Sequence, residues 1–196
     1  MKTFKQFFTE EKEKYLILLP GGYKPPTKGH MHMIESYNKN PAVAKVIVLI
    51  GPKEREGFTR AISLELFNLY GISNLKKVTL EDTTFDNPMV ASFDFVEKDP
   101  RAMEYAGLTF GIGASDKGDD SQRADRLVKY FRANPQKLRP GLQVGLPPIV
   151  KALKTNGKEV SATTLRQAIR DTNHSVIKEC IPSSVSVADF LDVIYK

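Results

Sequence analysis

Apolar and polar residues alternate in blocks along the chain. Near-continuous apolar runs at 15–20 ("YLILLP") and 45–51 ("KVIVLIG") predict two buried strands, the second rich in β-branched residues. Weaker strand candidates are 76–80 and 107–113, and 148–153 is the candidate for a fifth strand. Strands this apolar are typical of a parallel sheet that is covered on both faces.

Apolar stripes at helical spacing lie between and after these runs. They consist of Ile62, Leu66, Leu69 and Tyr70; of Ala124, Leu127, Val128 and Phe131; of Leu165, Ala168 and Ile169; and of Val187, Phe190, Leu191 and Ile194. Gly71 can end the first helix, and Ser186 with Asp189 has the spacing of a capping box before the last. This alternation predicts an α/β fold, a Rossmann-like open parallel sheet with helices on both faces. Ligands of such sheets bind at the carboxyl ends of the strands.

The predicted organisation is one α/β domain over 15–182, with a C-terminal helix in 183–196 packed on it. Residues 1–14 form an appended amphipathic segment or a leader. The single cysteine, Cys180, cannot form an intrachain disulfide, which fits a reducing, cytoplasmic location. The longest apolar runs are too short to cross a bilayer.

The net charge favours anionic partners. The chain has 29 Lys and Arg against 23 Asp and Glu, a formal charge of +6. This excess does not separate a nucleotide from a nucleic acid or a membrane surface, and an ordinary soluble basic surface is an equal interpretation. The arrangement of the cations therefore matters more than their number.

A bend-rich stretch, "LLPGGYKPPTKGHMHMI" at 18–34, follows the first predicted strand. Gly21 and Gly22 allow a sharp turn and the close approach of a phosphate. A helix should begin near Thr27 or Lys28, and its free N–H groups favour an anion. Thr27 can cap this helix or donate to a phosphate oxygen. The alternative is an ordinary turn rich in Gly and Pro.

Positive charge and two histidines accompany this loop. Lys24 and Lys28 add cations near the expected anion. His30 and His32 are two residues apart on a helix, so they point to nearly opposite sides and do not chelate one metal ion. We expect His30 to be the site residue and His32 to be structural or exposed. No metal ion held by protein ligands is predicted.

A second anion cradle is predicted in "EVSATTLRQAI" at 159–169. Ser161 is a good N-cap, and its hydroxyl, those of Thr163 and Thr164, and the free N–H groups crowd the first helical turn. Arg166 lies one turn further, and its guanidinium matches phosphate geometry. The alternative is an ordinary capped helix with a surface arginine.

The first motif, "GGYKPPTKGH", resembles the N-terminal signature of the nucleotidyltransferase superfamily. In that signature, Gly-x-Phe-x-Pro is followed by His-x-Gly-His or Thr-x-Gly-His. The corresponding positions are Gly22, Tyr23, Pro26, Thr27, Gly29 and His30. Thr27 replaces the histidine of the commonest version, as in phosphopantetheine adenylyltransferases, and the usual acidic residue of Phe-Asp-Pro is absent. The second motif is similar to the Ile-Ser-x-Thr-x-x-Arg of the superfamily, with Val160 for the isoleucine.

The resemblance implies that an acceptor phosphate attacks the α-phosphorus of ATP or CTP and that pyrophosphate leaves. His30 would donate to an α-phosphate oxygen, and Thr27 would hold the phosphates nearby. Lys24 or Lys28 would neutralise developing charge. The residues that would grip the β- and γ-phosphates are Ser161, Thr163 and Arg166. Mg²⁺ would bridge the phosphates and need no protein cage.

Two further loops would reach the same edge of the sheet. The segment 110–123 contains Ser115, Asp116 and Lys117, where superfamily members touch the nucleotide or the acceptor; a surface turn is the alternative. The segment 51–60 contains three cations that would hold an acceptor phosphate: Lys53, Arg55 and Arg60. The alternative is a solvated basic loop.

The partner expected from the resemblance is a phosphorylated small molecule. Nicotinamide-mononucleotide adenylyltransferases, phosphopantetheine adenylyltransferases and cytidylyltransferases share the motifs, and the Ser-x-Thr-x-x-Arg form favours the nicotinamide-nucleotide or cytidylyltransferase-like type. A homo-oligomer is compatible with the sequence, and nucleic acid is not favoured, because no helix-turn-helix or aromatic-basic pattern is evident.

The alternatives are a non-catalytic nucleotide sensor and a virion-associated protein with the same fold. The start "MKTFKQFFTEEKEKY" is similar to leaders of internal head proteins of tailed bacteriophages, which are cut after a glutamate; Glu10 would be that residue. A bacteriophage protein would reside in the host cytoplasm or the virion interior.

Overall fold

The computed structural model describes residues 14–118 and 120–196, and a five-stranded parallel sheet lies at its centre. The strands are β1 (Tyr15–Gly21), β2 (Val43–Ile50), β3 (Val78–Asp82), β4 (Thr109–Ile112) and β5 (Gln143–Val144). Their order across the sheet is β3-β2-β1-β4-β5. The expected Rossmann-like α/β architecture is confirmed.

Helices follow the strands. They are α1 (Lys28–Lys39), α2 (Arg60–Leu69), α3 (Pro88–Glu97), α4 (Asp120–Ala133), α5 (Ala162–Arg170), α6 (His174–Cys180) and α7 (Val187–Ile194). Short 3-10 turns occupy Ile72–Asn74, Pro100–Tyr105 and Pro135–Lys137, and an antiparallel hairpin joins β6 (Lys154–Thr155) to β7 (Lys158–Glu159). No helix in the described part of the chain is both long and apolar enough to span a membrane.

The two faces of the sheet are covered by different helices. Because side chains alternate along a strand, Ile17 and Leu19 of β1 pack with α1, α2 and α5 to α7, whereas Leu16 and Leu18 pack with α3 and α4. All four side chains are at most 1% exposed. Burying each stabilises the fold by roughly 1.5–3 kcal/mol. Helix α7 shares the first of these cores through Phe190.

The helix prediction is confirmed for the four apolar stripes, which lie in α2, α4, α5 and α7. Gly71 follows α2 with a φ of 80°, and Ser186 caps α7 by accepting from the N–H of Asp189 at 3.0 Å. Helices α3 and α6 were not predicted from the sequence. Helix α3 carries its own start signal, a side-chain cap by Asn87 followed by Pro88.

The prediction of a fifth strand at 148–153 was wrong. The fifth strand is β5, and within 148–153 only Val150 forms a bridge, parallel to Ser115. Pro147 and Pro148 lack backbone N–H groups, so the ladder cannot continue through them. The predicted leader, including Glu10, lies outside the described residues apart from its last residue, and nothing in the structure supports its capsid role.

The order of the strands places a crevice at the carboxyl ends of β1 and β4, because the connections reverse direction there. Tyr37 of α1 braces this edge. Its hydroxyl accepts from the N–H of Ala114 at 3.0 Å and donates to the carbonyl of Pro148 at 2.8 Å. The loops that follow β1, β2 and β4 therefore surround one region.

Candidate functional site

The loop after β1 folds back tightly on the end of its strand. Tyr23 is buried with a φ of 53°, and its hydroxyl donates to the carbonyl of Leu19 at 2.9 Å. A Cβ at Gly21 would lie only 2.6 Å from the Tyr23 ring, so this close approach requires glycine. The loop leaves Gly22 exposed and carries the chain to the start of α1.

Thr27 and His30 hold each other at the N-terminus of α1. Thr27 caps the helix by accepting from the N–H of His30 at 3.4 Å. In return, the backbone N–H of Thr27 donates to Nδ1 of His30 at 3.0 Å. Because Nδ1 accepts this bond, the proton of the neutral imidazole resides on Nε2. His30 therefore offers a fixed N–H donor.

The surroundings keep this imidazole neutral. Burial, and then the positive charges of Lys117 and Arg123, lower the pKa of His30 to about 4, and Asp120 opposes this only in part. The ring of Tyr23 packs against it with ring centres 5.0 Å apart. At neutral pH, His30 is a hydrogen-bond donor and not a cation.

A cavity of about 340 Å³ lies on one side of His30, and we call it the Lys117 cavity. Besides the β1–α1 loop, it is lined by His32, Met33, Ser115, Lys117, Asp120, Arg123, Val150, Lys151, Ala152, Leu153, Glu159 and Val160. Its wall combines apolar side chains, backbone and several charges. That mixture is typical of sites for small organic ligands, which measure roughly 300–1,000 Å³.

A second cavity of about 520 Å³ lies on the other side, and we call it the Arg166 cavity. It is lined by Gly22, Tyr23, Lys24, His30, Gly51, Lys53, Glu54, Arg55, Asp86, Pro88, Ala162 and Arg166. Four of these are cations, so the cavity favours an anion. Gly22, Tyr23 and His30 line both cavities, so His30 stands between them.

Lys24 is a buried cation in the wall of the Arg166 cavity. It is 3% exposed, and its Nζ donates to the carbonyl of Gly51 at 3.3 Å. Burial and the charge of Arg60 lower its pKa to about 8, and Asp82 opposes the shift. Lys24 is therefore charged at neutral pH and loses its proton in mildly alkaline solution.

Arg166 is equally buried, at 3% exposure, and is held at three points. Its Nη1 donates to the carbonyl of Lys24 at 2.7 Å, and its Nη2 to the hydroxyl of Thr163 at 3.2 Å. Its Nε donates to Glu56 at 2.8 Å. Two motifs that are more than a hundred residues apart in sequence thus meet at this guanidinium.

The predicted site residues divide into two groups. Those that line one or both cavities are Gly21, Gly22, Tyr23, Lys24, Thr27, Gly29, His30, Lys117 and Arg166. The other group, Lys28, Asp116, Ser161, Thr163 and Thr164, lines neither cavity. The hydroxyl and carboxyl groups of the last four pair with other groups of the chain instead.

The contacts show what this second group does. Ser161 caps α5 by accepting from the N–H of Thr164 at 3.1 Å. Asp116 accepts from the N–H of Ala152 at 2.6 Å, and so ties the loop after β4 to the segment 150–153. Thr27, which belongs to the first group, is 1% exposed, and its hydroxyl contacts Nδ1 of His30 at 3.1 Å, so Thr27 orients the imidazole.

Three residues of the Lys117 cavity were not predicted as site residues from the sequence. His32 pairs with the carbonyl of Lys151 at 3.0 Å and lines this cavity, in addition to its expected structural role. Asp120 and Arg123, which pair at 3.2 Å, also line it. Their position in the first turn of α4, the helix that follows β4, was the available signal.

The comparisons show a shared fold. No protein-family model matches this chain, and no curated protein sequence matches it either. A structure of nicotinic acid mononucleotide adenylyltransferase from Plasmodium falciparum, complexed with APC, is similar at a TM-score of 0.58 and 14% identity, over 93% of this chain and 94% of that chain.

A protein from Vibrio parahaemolyticus that is assigned as a nicotinate-nucleotide adenylyltransferase is similar at a TM-score of 0.49 and 15% identity, over 93% of this chain and 95% of that chain. At 14% identity, the likeness to the Plasmodium falciparum structure shows the fold alone. The chemistry must be argued from the residues of this chain.

Proposed function

We propose that the chain is a nucleotidyltransferase, which transfers a nucleoside monophosphate group from ATP or CTP to a phosphorylated small-molecule acceptor and releases pyrophosphate. The observation that carries the proposal is the position of His30. A neutral imidazole with its proton on Nε2 lies between a partly apolar cavity and a cationic one. Such a donor suits a phosphorus centre at which two substrates meet.

The two cavities suit the two ends of the reaction. The Lys117 cavity would take the nucleoside, because Met33 and Val160 offer apolar surface there. The Arg166 cavity would take the β- and γ-phosphates and the acceptor phosphate, because its cations match their charge. The α-phosphate would then lie beside His30.

The proposed reaction is an in-line displacement. An oxygen of the acceptor phosphate forms a bond to the α-phosphorus as the bond to the β-bridging oxygen breaks, and pyrophosphate leaves with that electron pair. The attacking oxygen is already anionic, so no general base is needed. The protein positions the groups and stabilises charge on the α-phosphate oxygens, for which His30 provides a fixed donor.

Magnesium would enter with the nucleotide. Among the described residues, no group of three or more His, Cys, Asp and Glu side chains is placed to hold a metal ion. Phosphate oxygens are hard ligands that Mg²⁺ prefers, and an ion bound to them would neutralise part of their charge. A single carboxylate in the wall of the Arg166 cavity, such as that of Asp86, would add at most one protein ligand to such an ion.

The structural neighbours support this proposal indirectly. The Plasmodium falciparum protein shares the fold and is an adenylyltransferase that acts on a mononucleotide by its name. The two motifs that resemble the superfamily meet at Arg166 in the structure. A pyridine mononucleotide is therefore one acceptor to test, beside phosphopantetheine and phosphorylated alcohols.

The test is pyrophosphate release in the presence of Mg²⁺. ATP and CTP are supplied separately, each with nicotinate mononucleotide, nicotinamide mononucleotide, phosphopantetheine and glycerol phosphate. We expect release with at least one pair, dependent on the acceptor. Nucleotide binding by calorimetry without turnover on any pair would contradict the proposal and favour a sensor. No binding of either nucleotide would contradict both.

Thr27 should contribute to activity beyond its role as a cap. Thr27→Ala and Thr59→Ala each remove a side-chain N-cap, since Thr59 accepts from the N–H of Ile62 at 3.2 Å. Both should lower the free energy of unfolding in urea by about 1 kcal/mol. Only Thr27→Ala also removes the hydroxyl that contacts Nδ1 of His30 at 3.1 Å, so only this variant should lose turnover per folded molecule. The loss should be partial, because the backbone N–H at this position still donates to Nδ1. Equal turnover in the two variants would show that Thr27 acts only as a helix cap.

Binding of the anionic acceptor should weaken as the pH rises through about 8. Lys24 carries its positive charge below that pKa and loses it above. Lys24→Arg stays charged throughout, so its KM should not rise over this interval. The measurement is KM for the acceptor from about pH 7 to about pH 9, at fixed ionic strength. A wild-type KM that stays flat across the interval would remove Lys24 from acceptor binding.

A further inference from the structure

A tight hairpin after β2 carries an acidic residue at its tip. Arg55 and Phe58 exchange two backbone hydrogen bonds, at 3.2 Å and 3.0 Å. The two residues between them, Glu56 and Gly57, have φ values of 52° and 82°, which makes a two-residue hairpin turn of the primed type. Phe58 is buried at 5% exposure, so the base of the hairpin is anchored in the core.

Glu56 occupies a turn position that favours glycine or asparagine. The left-handed conformation costs free energy for a residue with a longer side chain, and it persists where surrounding contacts hold it. Those contacts come from α5: the carboxylate accepts from Nε of Arg166 at 2.8 Å and also from Nη1 of Arg170. Burial opposes ionisation of Glu56, but the hydrogen bonds and charges of both arginines outweigh it and lower its pKa.

The contact to Glu56 fixes how Arg166 faces its cavity. A guanidinium has five N–H donors. Glu56, the Lys24 carbonyl and Thr163 engage three of them, one on each nitrogen, which leaves one donor on each terminal nitrogen beyond these contacts. Arg166 lines the Arg166 cavity, as do Glu54 and Arg55, whereas Glu56 does not line it.

We propose that Glu56 is a positioning residue for Arg166. It holds the guanidinium by Nε from outside the cavity, so that the remaining donors on the terminal nitrogens meet phosphate oxygens. The same contact fastens the hairpin to α5 and thereby sets the distance between Arg166 and the hairpin cations Lys53 and Arg55. This role rests on the proposed function, in which Arg166 binds the phosphate chain.

The test separates geometry from charge at Glu56. Glu56→Gln keeps an oxygen that accepts from Nε but loses the charge, whereas Glu56→Asp keeps the charge but is one methylene too short. Glu81→Gln is the matched control, because Glu81 pairs with Arg101 at 2.8 Å and lines neither cavity. The probe is inorganic tripolyphosphate, titrated calorimetrically into the full chain, with thermal unfolding of each variant recorded in parallel.

We expect Glu56→Asp and Glu56→Ala to weaken tripolyphosphate binding by about 10- to 100-fold, as for other residues that orient a binding group. Glu56→Gln should stay within about threefold of the wild type, because the hydrogen bond is kept. Glu81→Gln should not change it, because an exposed ion pair contributes little. In turnover assays, Glu56→Asp should lower kcat per folded molecule at saturating nucleotide, an effect that lost stability alone does not produce.

The possible results distinguish this role from the proposed function. Binding that is lost in Arg166→Ala but unchanged in Glu56→Asp and Glu56→Ala would overturn the role of Glu56 alone. Tighter binding in Glu56→Gln would also overturn it, since the carboxylate would then compete with the anion. Absence of tripolyphosphate binding, or binding that is unaffected by Arg166→Ala, would contradict the phosphate site of the proposed function as well.

Discussion

Replacing His30 with alanine is expected to lower kcat by about 10²- to 10³-fold, the usual cost of removing one preorganised donor from a developing oxyanion. The physical reason is the fixed Nε2 proton, which follows from the bond between the Thr27 N–H and Nδ1. This donor acts most strongly in the transition state, so KM should change much less than kcat. The measurement is steady-state pyrophosphate release with the acceptor that the wild type accepts.

Two controls sharpen this prediction. His30→Gln can place an amide N–H near the position of Nε2, so it should recover part of the lost rate. His174→Ala changes an exposed histidine that lines neither cavity and should leave kcat unchanged. Equal losses in His30→Gln and His30→Ala would argue against the donor role, and near-normal turnover in His30→Ala would remove His30 from the mechanism.

The pH profile provides a second check on His30. Because its pKa is lowered to about 4, the imidazole stays neutral well below the range in which an ordinary histidine titrates. A general acid with an ordinary pKa of about 6.5 would instead give kcat a limb near that pH. The wild type and His30→Gln should therefore have kcat profiles of the same shape near that pH.

The second large effect is expected at Arg166. Arg166→Ala should lower kcat/KM by about 10²- to 10³-fold, because it removes the buried guanidinium that joins the two motifs and faces the cationic cavity. Arg166→Lys keeps a charge but lacks the planar fork of donors, so it should recover only a small part of the activity. Rates are compared per folded molecule, with folding checked by circular dichroism.

Arg101→Ala is the control for this substitution. Arg101 pairs with Asp99 and Glu81 on the surface and lines neither cavity, so its removal should leave kcat/KM within about threefold of the wild type. If Arg166→Ala and Arg101→Ala had equal activities, Arg166 would serve only the structure of α5 and the loop after β1.

Most of the fold was predictable from local sequence signals, because strands and helices are recognised by apolar periodicity and by helix caps. The buried strands β1 and β2 read as near-continuous apolar runs, and Thr27 and Ser161 are recognisable caps of α1 and α5. The exact path of the last strand was not predictable in the same way. Pro147 and Pro148, which interrupt the pairing with β4, are visible in the sequence as strand breakers, but which residues before them pair with β4 is set by tertiary packing.

The residues that line the two cavities were only partly predictable from the sequence, and their contacts were less so. The motifs indicated His30 and Arg166, and the structure places both beside cavities. Sequence could not reveal that the Thr27 hydroxyl is engaged by the imidazole, or that Glu56 reaches across 110 residues to Arg166. Such contacts arise from the crossing of loops at the sheet edge, and no local spacing encodes them.

The origin of the bridging oxygen in the product shows which atom attacks the α-phosphorus. The wild-type chain is incubated with Mg²⁺, the nucleotide and an acceptor whose phosphate oxygens are labelled with ¹⁸O, and the products are analysed by mass spectrometry. Our account predicts that the label is retained in a diphosphate product joining the acceptor to the nucleoside monophosphate, with none in pyrophosphate. Free nucleoside monophosphate without the diphosphate product, or label in pyrophosphate, would contradict attack by the acceptor on the α-phosphorus.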